Sequence, residues 1–320
     1  MGKLKVAFWN VENLFEPGGP RGPGTSQELD DKIGALAGAI NRFFAESGPD
    51  LLGLAEIATE RIVLNLANRL NGAYVHVWEP AGQGVNTGLA LLARTAVFSR
   101  LQHVTGYRPS TFARPRWLVV RCNLNHVAEP FFTVVNHWKS RMPSGPQSVP
   151  DAADRVETAK RLGDFLAGQQ RDTCAIVVGD FNAEPFERPF LHTALRSRRT
   201  FSNALWVCAT SAHLYNTAWK FLCEPAPWED ARMQGYMEPR PKTTHGRNAP
   251  AVFDQLLVSG RALRKGPLQL RESTVEYFCD HVTSERNARG RLIPRRWHWL
   301  QPGQHSGASD HFPLLAAFDT

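Results

Sequence analysis

The amino-acid sequence predicts an α/β fold. Apolar runs rich in β-branched and aromatic residues alternate with segments of helical periodicity, and no internal repeat or long low-complexity stretch interrupts that alternation. Composition agrees, because 42% hydrophobic and 21% charged residues are typical of a globular protein. The 320 residues are enough for two ordinary domains or for one large α/β domain.

The first half of the chain begins with a predicted strand over 4–10, LKVAFWN, which a Gly/Pro-rich loop separates from a predicted helix over 28–46. That helix carries its apolar residues on one face, at Ile33, Leu36, Ile40 and Phe43. The segment PDLLGLAE returns to a strand that ends at Glu56. The pattern then predicts a helix over 58–71 and strands near 73–78, 87–92, 117–123 and 130–136.

The second half continues the alternation. A helix is predicted over 151–167, because its apolar residues recur at helical spacing and acidic residues in its first turn favour the helix dipole. The strand CAIVVGD follows and ends at Asp180. The remaining pattern predicts buried strands at 253–259 and 312–318, and long loops with short elements at 194–250 and 262–305.

Several protein classes are disfavoured by the sequence. No uninterrupted apolar stretch of about 18 residues exists to span a membrane, and the N-terminus lacks the pattern of a secretory signal. The five cysteines are odd in number and have no CxxC spacing, which argues against a disulfide framework and a zinc site. We therefore expect a cytoplasmic protein. The net charge of +7 favours a polyanionic partner, although a solvated basic face gives the same signal.

Polar residues stand at the ends of the predicted strands. Loops at one end of an α/β sheet bring residues that are distant in sequence to one rim, where binding and catalytic sites are built. The two-residue period of a strand directs Asp180 and Asn182 to the same side of the chain. The sequence therefore predicts one site from these strand ends: Asn10 and Glu12, Glu56, Asn136 and His137, Asp180 and Asn182, Asp254, and Asp310 with His311.

Six short motifs resemble one family. WNVEN, LAE, VNH, GDFN, FDQLLVS and SDHFPL occur, from about residue 4 to 318, in the order found in the endonuclease/exonuclease/phosphatase superfamily. Single motifs of this size are weak signals, whereas six in the correct order are specific. The resemblance implies one catalytic domain over 1–320, built as a four-layer sandwich of two mixed β-sheets flanked by helices. It also implies phosphoester hydrolysis with Mg²⁺, or alternatively Mn²⁺.

The resemblance also implies roles for the predicted site residues. Glu56 corresponds to the main magnesium ligand, with Asp310 and Asn10 close to the ion, and hard oxygen ligands are what Mg²⁺ prefers. Asp180 corresponds to the residue that orients and helps deprotonate the attacking water, and Asn182 to the one that holds the water or the phosphate in line.

Histidines complete the implied site. His311, paired with Asp254, and His137 correspond to donors of hydrogen bonds to the non-bridging phosphate oxygens as charge grows in the transition state. Pairing with Asp254 favours the imidazolium form of His311, which suits an anionic phosphate. Glu12 either contributes to a second metal site or bridges donors in its loop.

Two sequence features differ from the patterns of known subfamilies, and these differences narrow the range of expected substrates. The stretch HGRNAPAVFDQLL lacks the basic-proline signature of inositol-polyphosphate phosphatases, and Ala251 stands where abasic-site endonucleases have Trp. The motifs WNVENLF, VNHWKS and SDHFPL look most like those of bacterial nuclease-like members. We therefore expect a phosphodiesterase that acts on nucleic acid, an endo- or exonuclease with DNA favoured over RNA.

A basic segment supports that expectation. Residues 286–299, RNARGRLIPRRWHW, contain five arginines, two tryptophans and no acids, a composition typical of nucleic-acid surfaces. Arg295, Arg296 and Trp297 are the predicted substrate contacts, and a solvated basic loop is the alternative. A second function is a phosphodiesterase on a lipid headgroup, as in sphingomyelinases. A third, a non-catalytic binding module, would require a broken set of site residues, and no main position is broken.

Overall fold

The computed structural model of the chain leaves several segments undescribed. For 152, 196–198, 223, 244–245 and 250 only the backbone is described. The described residues are 2–19, 21–80, 87–105, 117–141, 152–169, 173–191, 196–198, 213–223, 244–245, 250–264, 266–288, 290 and 292–320.

Strands and helices alternate along the described chain, as the sequence predicts. The first half forms β1 (Lys3–Leu14), α1 (Ser26–Glu46), β2 (Leu51–Ile57), α2 (Glu60–Ala67), β3 (Tyr74–Glu79), β4 (Gly88–Arg94), β5 (Phe98–His103), β6 (Trp117–Leu124) and β7 (Phe131–His137). The second half forms α3 (Ala152–Gly168), β8 (Ala175–Asp180), α4 (Arg188–Leu191), β9 (Arg196–Arg198), β10 (His213–Asn216), α5 (Lys220–Cys223), β11 (Thr244–His245), β12 (Pro250–Ala251), β13 (Asp254–Ser259), β14 (Gln269–Tyr277), β15 (Ser284–Arg286), β16 (Leu292–Pro294), β17 (His298–Gln301), β18 (Gln304–Ser306) and β19 (Leu314–Asp319). Single turns of 3₁₀ helix occupy Thr217–Trp219 and Gly260–Leu263.

Two large mixed sheets dominate the fold. The first has the strand order β14-β19-β1-β2-β4-β3, and its only parallel pair among the described strands is β1 with β2. The second has the order β5-β6-β7-β8-β13-β10-β9, with β8 parallel to β7 and antiparallel to β13. The predicted sandwich of two mixed sheets is therefore confirmed.

Alternation of side chains along the strands builds three apolar layers. In β1, Val6 and Phe8 face the core between the two sheets, whereas Ala7 and Trp9 face the layer that α1 and α2 cover. In β8, Val177 faces a third layer, which contains apolar side chains of α3. Because successive strand residues point to opposite faces, each central strand is apolar on both sides. None of the described helices is long and apolar enough to cross a membrane.

Two helices carry the start signals that the sequence encodes. The Thr25 side chain caps α1 by accepting from the backbone N–H of Glu28, and Thr59 caps α2 by accepting from the N–H of Ile62. The last turn of α1 is irregular, since Phe44 and Ala45 have positive φ values of 54°. The helix predicted over 58–71 is shorter in the structure, because α2 ends at Ala67.

Two strands differ from the sequence prediction. β5 was not predicted, and it is an edge strand of the second sheet in which exposed positions outnumber buried ones. β14 lies inside the stretch 262–305 that the sequence predicts as loops with short elements, and that prediction is wrong for its nine residues. A register shift between Arg271 and Glu276 breaks its two-residue period, so the pattern gives a weak signal. Most of 194–250 lies outside the described residues.

Candidate active site

The candidate site lies where the ends of β1 and β2 meet the ends of β7, β8 and β13. In the second sheet, Asp180 is in register with His137 on one neighbouring strand and with Asp254 on the other. Asn10 of β1 bridges the two sheets, because its Nδ2 donates to Asp180 Oδ2 at 3.1 Å. The convergence of these strand ends is therefore as the sequence predicts.

Unusual backbone geometry marks the same place. Left-handed conformations are unfavourable for residues with a side chain, and they cluster at functional sites. The irregularity of β1 after Asn10 uses this geometry to aim two backbone donors inward, from Glu12 to Asn10 Oδ1 at 3.1 Å and from Asn13 to Glu56 Oε2 at 2.8 Å. Among the described residues, eight other than glycine have positive φ, and four of these belong to the site: Glu12 (48°), Asn13 (52°), Glu56 (67°) and Asn182 (47°).

Glu56 and Asp180 present two carboxylates to one amide. Asn10 Nδ2 donates to Glu56 Oε1 as well as to Asp180 Oδ2, at 3.1 Å in both cases. His137 lies beside them, with Nε2 3.5 Å from Glu56 Oε1 and 3.9 Å from Asp180 Oδ2. Burial acts to raise the pKa of Glu56, but His137 and the Asn13 N–H outweigh it, and the pKa lies below its ordinary value. Glu56 is therefore ionised at neutral pH.

The predicted contact between Asp254 and His311 is confirmed. Nδ1 of the buried His311 lies 2.7 Å from Oδ2 of the buried Asp254. His311 Nε2 lies 3.8 Å from Asp180 Oδ2 and 3.7 Å from Asp310 Oδ1. Burial acts to lower the pKa of His311, but the three carboxylates outweigh it and hold the pKa well above its ordinary value. His311 is therefore an imidazolium at neutral pH. Its Nε2–H lies beside the carboxylates of Asp180 and Asp310, which together with that of Glu56 are called the acidic centre.

A short turn after β8 holds Asp180 and Asn182. The backbone N–H of Asn182 donates to Asp180 Oδ1 at 2.9 Å, and the Asn182 side chain donates to the Trp138 carbonyl at 3.1 Å. Arg141 secures this turn, since its Nε donates to the Asn182 carbonyl at 3.0 Å. The sequence prediction missed Arg141, although it follows His137 by four residues in the polar stretch HWKSR.

Comparison of the chain with models of protein families identifies its family. The model described as "Endonuclease/Exonuclease/phosphatase family" matches residues 5–223, more than half of the chain. The chain belongs to this family. Its members hydrolyse phosphoester bonds and depend on a divalent cation, so membership identifies a phosphoester hydrolase. The family resemblance inferred from the sequence is thereby confirmed. No curated protein matches the chain significantly.

Solved structures share the fold over nearly the whole chain. A Bacteroides thetaiotaomicron endonuclease/exonuclease/phosphatase family protein is 17% identical, with a TM-score of 0.58 and coverage of 99% of this chain and 95% of that one. Danio rerio TDP2 complexed with a single-strand DNA product is 14% identical, with a TM-score of 0.57 and full coverage of both chains. A Bacteroides thetaiotaomicron mannosyl-6-phosphatase is 15% identical, with a TM-score of 0.55, and the match covers 99% of this chain and 100% of that one. Identities this low establish the fold alone.

The family's divalent cation fits the acidic centre through the chemistry of the donors. Glu56 and Asp310 offer carboxylate oxygens, and their side chains keep 18% and 32% exposure, which leaves room for retained waters. The ligand atoms of Asp180, Asp254 and His311 also lie within 4.8 Å of one another. Because imidazolium nitrogens carry protons instead of free lone pairs, that second group is better suited to hydrogen bonding than to holding a metal.

Two asparagines of the predicted site have different tasks. Asn10 turns its Nδ2 towards the carboxylates of Glu56 and Asp180 while its Oδ1 accepts from the backbone of Glu12, so it holds the two acids next to each other. Asn136 is structural: its Nδ2 donates to two strand carbonyls and its Oδ1 accepts from Trp138 Nε1 at 3.1 Å. Gly179 permits this packing, since a Cβ there would lie 2.3 Å from the Asn136 carbonyl oxygen.

Two cations flank the acidic centre on its other side. Arg296 Nε donates to Glu12 Oε1, and Arg296 Nη2 lies 3.8 Å from Asp310 Oδ2. Lys32 Nζ donates to the Glu12 carbonyl, and burial lowers the pKa of Lys32 to about 8. Burial, followed by the Asp310 charge, raises the pKa of Glu12 above its ordinary value. The sequence prediction missed Lys32; the available signal was a lysine next to Ile33 on the apolar face of a helix.

The other predicted substrate contacts lie in the same segment. Arg295 Nη1 donates to the His281 carbonyl at 2.8 Å, and the Trp297 ring stacks on His305 with centroids 4.6 Å apart. Of the three, the structure brings Arg296 into contact with the site. Substrate binding by Arg295, Arg296 and Trp297 stays a prediction, as do the catalytic and metal-binding roles of the other site residues.

Proposed function

We propose that this phosphoester hydrolase is a Mg²⁺-dependent phosphodiesterase that cleaves nucleic acid, with DNA as the first substrate to test. One observation carries the proposal: Asn10 Nδ2 donates to both Glu56 and Asp180 and so joins the two sheets, and His311 Nε2 lies 3.8 Å from Asp180 Oδ2. We also propose that residues 1–320 act as one catalytic domain and that the protein works in the cytoplasm.

The acidic half of the site would prepare the attack. Glu56 and Asp310 would hold the cation, which when bound supplies positive charge against phosphate oxygens. Asp180 would orient the attacking water, since Oδ1 is fixed by the Asn182 N–H and Oδ2 by Asn10. A carboxylate fixed at both oxygens loses little orientational freedom during the reaction, which is the advantage of preorganisation.

The histidine half would stabilise the charge that develops on the phosphate. Asp254 accepts from Nδ1 and, with the other carboxylates, stabilises the imidazolium form of His311, so Nε2 also carries a proton and can donate to a non-bridging oxygen. His137, 3.5 Å from Glu56 Oε1, would donate to a second oxygen. Preorganised donors of this kind act only where negative charge grows, which favours the transition state over bound substrate.

The choice of nucleic acid is supported by charge and by one structural neighbour. A net charge of +7 attracts polyanions, and Arg295 and Trp297 lie in the segment that brings Arg296 to the site. Danio rerio TDP2, which shares the fold, has been captured with a single-strand DNA product. A second candidate is the phosphate ester of a small molecule, because the mannosyl-6-phosphatase has the same fold at a similar TM-score.

A substrate panel tests the proposal. Plasmid, single-stranded DNA, RNA, sphingomyelin and mannose 6-phosphate are each incubated with the protein in Mg²⁺ or in EDTA, beside an Asp180→Asn variant purified identically. We expect Mg²⁺-dependent cleavage of nucleic acid by the parent and at least about 100-fold less by the variant. Equal cleavage by both would show that the activity does not depend on Asp180 and would contradict the proposed site. Turnover confined to mannose 6-phosphate or to sphingomyelin would replace the nucleic-acid proposal.

A further inference from the structure

Two acids beside the proposed ion already share a cation that the chain supplies. Arg296 Nε donates to Glu12 Oε1, and Arg296 Nη2 approaches Asp310 Oδ2 to 3.8 Å. The two oxygens of Asp310 face different neighbours, since Oδ1 lies 3.7 Å from His311 Nε2. Lys32 adds a second positive group to the Glu12 backbone carbonyl. Glu12 and Asp310 are thus matched by two cations before any metal arrives.

The backbone around Arg296 fixes its position. The N–H of Ala308 donates to the Arg295 carbonyl at 2.8 Å, and the N–H of Arg295 donates to the Thr283 carbonyl at 2.9 Å. Gly307, at φ +67°, packs so closely that a Cβ there would lie 2.1 Å from the Arg296 carbonyl oxygen. The chain on both sides of Arg296 is therefore pinned next to the site.

The hairpin that follows is attached to α1. Trp299 Nε1 donates to Asp31 Oδ2 at 3.1 Å, and the N–H of Gly303 donates to the same oxygen at 2.9 Å. These contacts join the Arg296 segment to the helix that carries Lys32. A guanidinium cannot be deprotonated in a protein, so the charge it brings to Glu12 is permanent.

Glu56 and Asp180, the acids on the opposite side of the site, have partners of a different kind. Among the described residues, no lysine or arginine forms an ion pair with Glu56 or Asp180, whose partners are histidines, amides and backbone N–H groups. A divalent cation at Glu56 meets a carboxylate with no guanidinium or ammonium in direct contact among the described residues. A divalent cation between Glu12 and Asp310 would instead lie against a guanidinium, and like charges at contact repel strongly in a partly buried site.

We propose that Arg296 sets the metal stoichiometry of this chain at one: a single divalent cation binds at Glu56 and Asp310 Oδ1, and Arg296, which lies between Glu12 and Asp310 Oδ2, closes that second pair of oxygens to another cation. The inference rests on the cation dependence of the proposed function and is independent of the substrate. Glu12 keeps the capacity for a ligand once Arg296 is removed, because its buried Oε2 has no hydrogen-bond partner among the described residues.

Mn²⁺ binding to the intact protein tests this, counted by the loss of free-ion electron paramagnetic resonance signal and by calorimetry. The parent should bind one Mn²⁺ per chain at saturation. Arg296→Gln should bind two, and adding Glu12→Gln to that variant should return the count to one. Arg295→Gln is the matched control, because the Arg295 guanidinium donates to His281, and its count should stay at one.

The outcomes separate the inference from the proposed function. Two Mn²⁺ on the parent would overturn the inference and leave a metal-dependent phosphodiesterase intact. No Mn²⁺ on the parent would overturn both. An Arg296→Gln variant that retains the parent's circular dichroism spectrum and still binds one ion would show that Arg296 does not close the second position. Should that variant not fold, Arg296→Met is counted in its place, and it must also bind two ions.

Discussion

The two sides of the candidate site balance their charge in different ways. The inner group, Asp180, Asp254 and His311, is buried, and its acids are matched by a histidine and by neutral donors. The rim group, Glu12, Asp310 and Arg296, includes a guanidinium that is 56% exposed and always charged. Proton positions in the inner group depend on pH, whereas the charge of Arg296 is fixed. We therefore propose that the inner group carries out the chemistry and that the rim group controls the access of cations and polyanions.

Removal of the divalent cation should have the largest effect on hydrolysis, since both groups of the site depend on it. EDTA should abolish hydrolysis, and Mg²⁺ or Mn²⁺ should restore it, because Glu56 and Asp310 are oxygen donors that select such ions. The measurement is hydrolysis of the best substrate of the panel in metal-free buffers. Full hydrolysis in EDTA would rule out a metal-dependent mechanism.

Replacement of one residue of the inner group should have the next largest effect on turnover. Asp180→Asn and His311→Ala should each lower turnover by at least about 100-fold, the scale expected when one positioned group is lost from a charge-stabilising site. Steady-state kinetics measures this, with circular dichroism as the check on folding. Turnover within a few-fold of the parent in a folded variant would remove that residue from its role.

The inner group could be predicted from sequence more fully than the rim. The short motifs at the strand ends occur in a recognisable order along the sequence. A strand such as AIVVGD is apolar on both faces, so the acidic Asp180 at its end is easily identified. Arg296 meets Glu12 across 284 residues, a contact that no local pattern encodes. Lys32 looks like an ordinary helix residue until its burial is known. β14 was missed because an edge strand with a register shift carries a broken period.

The stability of the inner group should depend on pH through His311. Its folded pKa is raised above the unfolded value of about 6.5, so the stabilisation is fully present below pH 6.5 and is lost as pH rises through the folded value. Asp254→Asn should lower the free energy of unfolding by about 3 kcal/mol below pH 6.5, the scale for breaking a buried pair.

Urea unfolding from pH 6 to pH 10 measures that difference. The gap between the parent and Asp254→Asn should narrow as His311 of the parent loses its proton. Glu157→Gln is the matched control, because Glu157 pairs with Arg161 on the exposed face of α3 and exposed pairs of this kind contribute little. A constant gap across the pH range would contradict a charged Asp254–His311 pair.

The smallest effect should come from Arg295, which shares the basic segment with Arg296 but touches no acid of the site in any described contact. If Arg295 meets a phosphate of bound nucleic acid, Arg295→Ala should weaken binding of all sequences alike and flatten the slope of log affinity against log salt by about one unit. Fluorescence anisotropy with a single-stranded oligonucleotide at several salt concentrations measures both quantities. Arg69→Ala is the matched control, because the described contacts of Arg69 are with Asp30 and Asn41 and not with the basic segment, so the slope should stay unchanged. An Arg295→Ala slope equal to the parent's would mean that Arg295 only holds the His281 carbonyl, and the case for a nucleic-acid backbone along the rim would then depend on Arg296 alone.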